Sequence, residues 1–407
     1  MKIDLLHYSA PPVVGGVESV LAHHARLMAD AGHAVRLLAG RGETLDDRIP
    51  FIHIPLADSR HADILAVKGE LDQGRLPGEF EALTALLAAQ LFEITADTDA
   101  LIAHNVCSLH KNLPLTVALY RLHQSRPALH LILWHHDLAW TASRYRPELH
   151  QGYPWDLLRR DWPSTTQVVV SALRRKELCD LLGVPPERVH VVPNGLDLQR
   201  FLKLDDRTMD LVARLDLLSA APLLLLPVRI TRRKNIELAL RLLAELRLDF
   251  PQTVLVVTGP LGPHNPSNVK YYEKLLSLRH ELGLDASAHL LAELSSEYLP
   301  DSVIADFYRL ADALLLPSRE EGFGIPILEA AVAGLPIFCA DIPSLRELAG
   351  EQATYFDPDA DPAEIASAMN GWLSGPVYEL RVRVRSGYTW QRLYRQHIEP
   401  LLTLREA

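Results

Sequence analysis

The sequence predicts an α/β protein made of two Rossmann-like domains whose parallel sheets face each other across a cleft. Three observations lead there. Short apolar runs alternate with helix-period stretches along the whole chain, the pattern of parallel strands joined by crossover helices. The length, 407 residues, exceeds what one such domain usually needs. A charge-mixed stretch over 193–222, opening Pro-Asn-Gly, divides the chain into two alternating series of similar size.

In order, residues 3–7 read as a strand and 9–16 as a loop. A helix follows with Val17, Val20, Leu21, His24, Leu27 and Met28 on one face, stopped by Gly32, and 35–39 is the next strand. Further strands are expected at 100–103, 129–134, 167–171 and 189–192, with helices at 79–95 and 173–182. A short helix is expected near Met209 inside the connecting stretch. The second series gives strands at 223–228, 254–258, 289–292, 313–317 and 336–339. Its helices fall at 236–248, 271–282, 301–311 and 327–332. The domains expected are 1–200 and 215–387.

Composition narrows the function classes. Hydrophobic residues at 48% and charged residues at 23% exclude a disordered chain. The net charge of −10 argues against nucleic acid as a partner. Cys107, Cys179 and Cys339 stand far apart, so neither a disulfide framework nor a zinc module is expected. The apolar runs are shorter than the roughly 20 residues a bilayer span needs, so no stable membrane insertion is expected. A Met-Lys-Ile-Asp start running into a strand does not read as a signal peptide. The expectation is a cytoplasmic enzyme; a homo-oligomer is compatible with all of this.

Chemistry concentrates in four stretches. The richest is Ser318-Arg-Glu-Glu-Gly-Phe-Gly-Ile-Pro-Ile-Leu-Glu329, in which Pro326 suits the first turn of a helix. Bare N–H groups at a helix start attract phosphate, while Glu321 in the loop and Glu329 in the first turn suit sugar hydroxyls. Spacing alone fits equally a Glu329 that complements the helix dipole and a solvated Glu321. In Pro227-Val-Arg-Ile-Thr-Arg-Arg-Lys-Asn235, Arg229 and Lys234 are placed to reach a diphosphate, with Asn235 as a helix cap and Arg232 and Arg233 on the surface. Gly15 and Gly16 permit close backbone approach to a ligand but do not form a dinucleotide fingerprint. His135, His136 and Asp137 end a strand, where they could orient a sugar, move a proton or simply be structural.

Taken together and in this order, the chain resembles the retaining glycosyltransferases of family 4, which have the GT-B fold. The resemblance runs through Gly15-Gly16-Val-Glu18, His136-Asp137, Val192-Pro193-Asn194-Gly195-Leu196-Asp197, Arg229 with Lys234-Asn235, Gly259, and the E-x7-E motif from Glu321 to Glu329 with its Gly322-Phe323-Gly324-Ile325-Pro interior. It implies that Arg229 and Lys234 bind the donor diphosphate. Glu321 would contact the transferred sugar, Glu329 the ribose or sugar hydroxyls, Gly16 the phosphates, and His136 the sugar. His135 is the alternative histidine. The resemblance also implies that a C-terminal helix at about 388–407, around Trp390, crosses back to join the first domain. The Pro-rich stretch 260–266 departs from the family's short glycine loop.

The implied activity is hexosyl transfer from a nucleotide sugar, UDP-glucose or GDP-mannose, to a hydroxyl of a soluble polar acceptor such as a sugar or sugar acid. A GT-B disaccharide phosphorylase, a nucleotide-sugar epimerase or a non-catalytic nucleotide-sugar-binding protein are the alternatives. No cofactor and no metal is expected. Asp97-Thr-Asp99 precedes its strand, Asp357-Pro-Asp-Ala-Asp361 reads as a solvated turn, and the histidines lack ligand spacing. The acceptor side is expected around His135, Asp137, Trp140 and Arg144. There, Trp134, Trp140, Trp155 and Trp162 alternate with arginines, either as a stacking surface or as core.

Overall fold

The computed structural model describes residues 1–261, 266–294 and 298–404, the side chains of 266 and 267 excepted. The chain divides into two compact units: Met1–Gly195 with Trp390–Ala407, and Leu196–Thr389.

The first unit runs β1 (Lys2–Leu6), α1 (Gly16–Asp30), β2 (Ala34–Ala39), β3 (Phe51–His53), α2 (Ala62–Leu71), α3 (Glu79–Ile94), β4 (Ala100–His104), α4 (Leu113–Ser125), β5 (His130–His135), β6 (Thr166–Val169), α5 (Ala172–Leu182) and β7 (Val189–Val191). Its strands form one parallel sheet in the order β3-β2-β1-β4-β5-β6-β7. Both faces are covered, so strand residues are apolar on either side. Ile132 and Trp134 join the layer beneath α1, whereas Leu131 and Leu133 join the layer with Phe80, Leu87 and Leu119 of α3 and α4.

The second unit runs α6 (Leu198–Leu202), α7 (Asp206–Arg214), β8 (Leu223–Leu226), α8 (Ile236–Asp249), β9 (Val254–Val257), α9 (Pro266–Glu281), β10 (Ala288–Leu290), α10 (Asp301–Leu310), β11 (Ala313–Leu316), α11 (Ile325–Val332), β12 (Ile337–Ala340), α12 (Pro343–Ala349), β13 (Thr354–Phe356), α13 (Pro362–Leu373) and α14 (Pro376–Gly387). The parallel sheet has the order β10-β9-β8-β11-β12-β13. All four leucines of β8 are buried. Asp312, just before β11, is fully buried and takes a two-pronged bond from Arg385 of α14, at 2.8 and 2.7 Å. It also accepts the backbone N–H of Leu223 at 2.8 Å.

After this unit the chain returns to the first as α15 (Trp390–Leu393), a π turn at Tyr394–Ile398 and α16 (Glu399–Thr403). Tyr394, Ile398, Leu401 and Leu402 complete the apolar layer over Ile3 and Leu5. The ring of Trp390 lies against Gly195, where an added Cβ would sit 2.5 Å from it.

Several expectations change. Three-residue β3 and β13 were not foreseen. Asn235 is not a side-chain cap of α8: its φ is +54°, and its amide donates to Pro358 O at 2.9 Å. Residues 262–265 of the Pro-rich stretch lie outside the described residues. The acidic turn is partly structural, because Asp361 accepts the Ala363 N–H at the start of α13.

Candidate active site

In each sheet the first strand lies beside the fourth, leaving a crevice at their carboxyl ends where the chain departs in opposite directions. That switch point is where open α/β sheets bind ligands. In the second unit it lies between β8 and β11, and the expected donor residues gather there. Lys234 closes a short turn after β8 and is 8% exposed. Its ammonium donates to Glu321 Oε1 in the loop after β11, and Ser318 Oγ donates to the same oxygen at 2.7 Å. Arg233 stands 3.8 Å from the other Glu321 oxygen, and its carbonyl accepts Arg319 N–H at 2.8 Å, tying the two loops together. Burial draws the Lys234 pKa below the usual lysine range; Glu321 pulls it up, and Arg233 and Arg229 push it down.

Of the two readings that spacing left open for Glu321, the solvated one does not hold. The Glu321 side chain is buried against Lys234, which is itself buried. Arg229 is exposed, its guanidinium 5.4 Å above the ring of Tyr298. Glu329 is the fifth residue of α11, one position past the first turn in which it was expected, and Tyr308 of α10 donates to its Oε2 at 2.5 Å. Glu329 and Tyr308 line an open cavity of about 730 Å³. Tyr308 carried no signal in the sequence, because it reads as one more core position of an amphipathic helix.

The glycines differ in purpose. Gly324 has φ of +105°, and a Cβ there would sit 2.7 Å from Leu345 Cδ2, so the sharp entry into α11 requires it. Gly322 is open to solvent, and the Phe323 and Ile325 side chains are exposed. A Cβ on Gly259 would fall 2.1 Å from Val228 O, so this glycine lets the ends of β9 and β8 pass. Gly15 makes room for a side chain of its own protein. Its added Cβ would lie 2.0 Å from Glu18 Oε2, and Glu18 accepts from Ser9 Oγ at 2.6 Å. Gly16, the first residue of α1, has open space where its side chain would be.

In the first unit the switch point lies between β1 and β4, with β5 alongside. His136, just past β5, is partly exposed, and its Nε2 lies 3.1 Å from Nδ1 of buried His104. Burial, with the neighbouring His7 and His135, lowers its pKa to about 3, so the ring is neutral. Asp137 faces Arg174 at 3.3 Å and Arg144 at 3.8 Å.

The residues expected on the acceptor side do not lie together on one open surface. His135 turns into the core, its Nε2 2.8 Å from Gln167 Oε1. Trp134, Trp155 and Trp162 are core residues. Trp140 donates to Trp155 O at 3.3 Å, and Arg159 stands 4.3 Å above its ring, so that face is already covered. Arg144 is exposed and lies over Tyr145. Aromatic and arginine residues interleave in the same way in a core and in a sugar platform, and the sequence does not separate the two.

The acidic pairs weighed as metal ligands have protein partners. Asp97 pairs with Lys2 Nζ at 2.5 Å, and Asp99 accepts Lys2 N–H at 2.8 Å, at the amino-terminal edge of the sheet. Asp359 pairs with Arg319 at 2.6 Å. Among the described residues, Asp72, His110 and Glu148 form a group of metal-type donors, and Lys68 donates to both carboxylates, at 2.5 and 3.0 Å.

Two family models match in chain order. Residues 14–200 match Glycosyltransferase Family 4, and residues 214–387 match Glycosyl transferases group 1. With the two Rossmann-like units they define the GT-B class of glycosyltransferases. Within that class the matches and relatives support family 4. A mannosylglucosylglycerate synthase of Petrotoga mobilis is 26% identical over 370 residues, 85% of this chain and 84% of that protein. A D-inositol 3-phosphate glycosyltransferase of Kineococcus radiotolerans is 31% identical over 235 residues, 53% of this chain and about half (52%) of that protein. Anabaena HepE, solved in complex with UDP and glucose, is similar over 99% of this chain and 100% of that one, at 17% identity and a TM-score of 0.36. Strand order rather than that score establishes the fold. No helix among the described residues is long and apolar enough to cross a membrane.

Proposed function

We propose that the protein is a retaining hexosyltransferase, independent of metal and of any other cofactor, that moves a hexose from a nucleotide sugar to a hydroxyl of a soluble polar acceptor, a sugar or sugar acid. The observation that carries this reading is the buried Lys234–Glu321 pair at the switch point of the second sheet, with Arg229 and Arg233 beside it. An ammonium already fixed in a partly dry crevice stabilises charge that develops on a leaving diphosphate without having to reorganise. Arg229, exposed, is free to grip the diphosphate as the crevice fills. Glu321 accepts hydrogen bonds from hydroxyls of the transferred sugar, and Glu329, steadied by Tyr308, from the ribose. The start of α11 at Gly324 and Ile325 offers backbone N–H groups to the phosphates, and the open backbone at Gly16 does the same from the first unit. His136 contacts the donor sugar. Retention follows from attack on the same face the phosphate leaves, with that phosphate taking the acceptor proton, so no carboxylate nucleophile is needed. The names of the relatives favour a sugar, a sugar acid or a phosphate-bearing polyol as acceptor.

The test is a thermal-shift panel of nucleotide sugars including UDP-glucose and GDP-mannose, followed by nucleotide release with and without EDTA. The true donor at 100 times its Kd stabilises by about 2.7 kcal/mol. No shift with any nucleotide sugar overturns the donor assignment. Activity abolished by EDTA and restored by magnesium or manganese overturns metal independence, and turnover that requires free phosphate points to a phosphorylase.

A further inference from the structure

Two residues at the end of β4 take no part in the chemistry just described, yet both are buried and both hold His136. His104 is the last residue of the strand, and its Nδ1 lies 3.1 Å from His136 Nε2. Asn105 follows with φ of +59°, a left-handed conformation that asparagine tolerates better than most side chains. The turn aims its Oδ1 at the next strand, where it accepts the backbone N–H of His136 at 2.8 Å and of Asp137 at 3.3 Å. The Asn105 carbonyl is itself held by the Tyr8 hydroxyl at 3.2 Å. One side chain therefore fixes the ring of His136 and its neighbour fixes the backbone.

The ring contact also decides a proton. Two neutral imidazoles meeting nitrogen to nitrogen share one hydrogen. If His136 supplied it, His104 would carry its own proton on Nε2, which is buried without a partner among the described residues. An orphaned buried N–H is the rarer and costlier outcome than a bare acceptor nitrogen. The shared hydrogen thus sits on His104 Nδ1, and His136, accepting at Nε2, keeps its proton on Nδ1. We propose that His104 and Asn105 are positioning residues that present His136 to the donor sugar as the Nδ1–H tautomer, a hydrogen-bond donor, in a fixed place. This rests on His136 as the donor-sugar contact.

Nitrogen-15 NMR of the histidine-labelled free protein, with His136 assigned through His136→Gln, reads the tautomer without any substrate. Wild type should show His136 protonated at Nδ1. His104→Asn, whose amide can replace the lost donor, should keep that state, and His104→Phe should lose it. Protonation at Nε2 in the wild type overturns the proposal. With UDP-glucose or GDP-mannose, whichever is turned over, His104→Phe and Asn105→Gly should each lower kcat/KM by about 10- to 100-fold, the scale of a small misplacement. His104→Asn and Asn105→Asp should recover most of it. In a His136→Ala background neither substitution should cost more, because its effect passes through His136. Full additivity overturns the proposal. Wild-type rates in His136→Ala alone overturn the role given to His136 and leave the tautomer result standing. Should His104→Phe fail to fold, the asparagine variants and the NMR of His104→Asn decide.

Discussion

Lys234 sits where the loop after β8 passes the loop after β11, and its burial gives it two effects that one substitution will mix. Lys234→Ala removes the cation under the leaving diphosphate, which should cost about 10²–10³ in turnover. It also leaves Glu321 buried without its partner, which should cost about 3–5 kcal/mol of stability. The pair Lys234→Met with Glu321→Gln separates the two: urea unfolding should recover most of the loss while nucleotide release stays low. Near-normal turnover in Lys234→Ala would sink the diphosphate assignment. Both residues could be singled out from their surroundings in the sequence, Lys234 before a helix and Glu321 after a strand. Their union was not legible, because the two are 87 positions apart and only the strand order brings β8 beside β11. The same holds for His104 and His136, 32 positions apart on neighbouring strands.

Helix α14 is fixed to its sheet by a buried ion pair rather than by apolar packing alone. Arg385 reaches Asp312 with both terminal nitrogens, and the same guanidinium donates to Leu310 O and Ala220 O, at 3.0 and 2.5 Å. Arg385→Met should lower the stability of the second unit by about 3–5 kcal/mol, because Asp312 stays buried with part of its charge uncompensated. The pair lies at the amino-terminal end of β11, away from the crevice, so donor affinity of the folded fraction should not change. A shifted urea midpoint with unchanged donor Kd is the expected result; an unchanged midpoint would show the pair contributes nothing net. Elements of this kind divide sharply in how well the sequence shows them. The run Leu223–Leu226 announces a strand buried on both faces. β3 and β13 do not, being three residues long and partly exposed at sheet edges. α4 buries most of its surface, so it lacks the polar face that marks a helix.

At the scale of the molecule, the two units should respond differently to acid. Burial lowers the pKa of His24 and His136 to about 3 and of His7 and His135 to about 4, and lowers that of His104 as well. All lie in the first unit. Unfolded, these histidines take up protons near pH 6.5; folded, they do not. The unfolded state therefore binds more protons, and stability, full above about pH 6.5, should fall as pH drops toward 4. Among the described residues of the second unit, His280 is exposed at the surface and burial lowers the pKa of His289. Every tryptophan except Trp372 belongs to the first unit, so tryptophan fluorescence reports mainly on it. Chemical denaturation at pH 7.5 and 5 should show the fluorescence midpoint falling more than that of a probe placed in the second unit. Equal shifts would mean that the histidine cluster opens to water before it titrates.

The first unit is assembled from two separate stretches of the chain, with the closing layer of Tyr394, Ile398, Leu401 and Leu402 made after the inner unit and Trp390 seated against Gly195. During synthesis residues 1–195 leave the ribosome before residues 196–389 yet lack the strip that seals the apolar surface over Ile3 and Leu5. The inner unit, continuous from Leu196 to Thr389, has its whole sequence available first. Birth order and completion order are therefore reversed: the part made earlier waits, with part of its core bare and open to chaperones, until the strip at 394–402 has followed the inner unit.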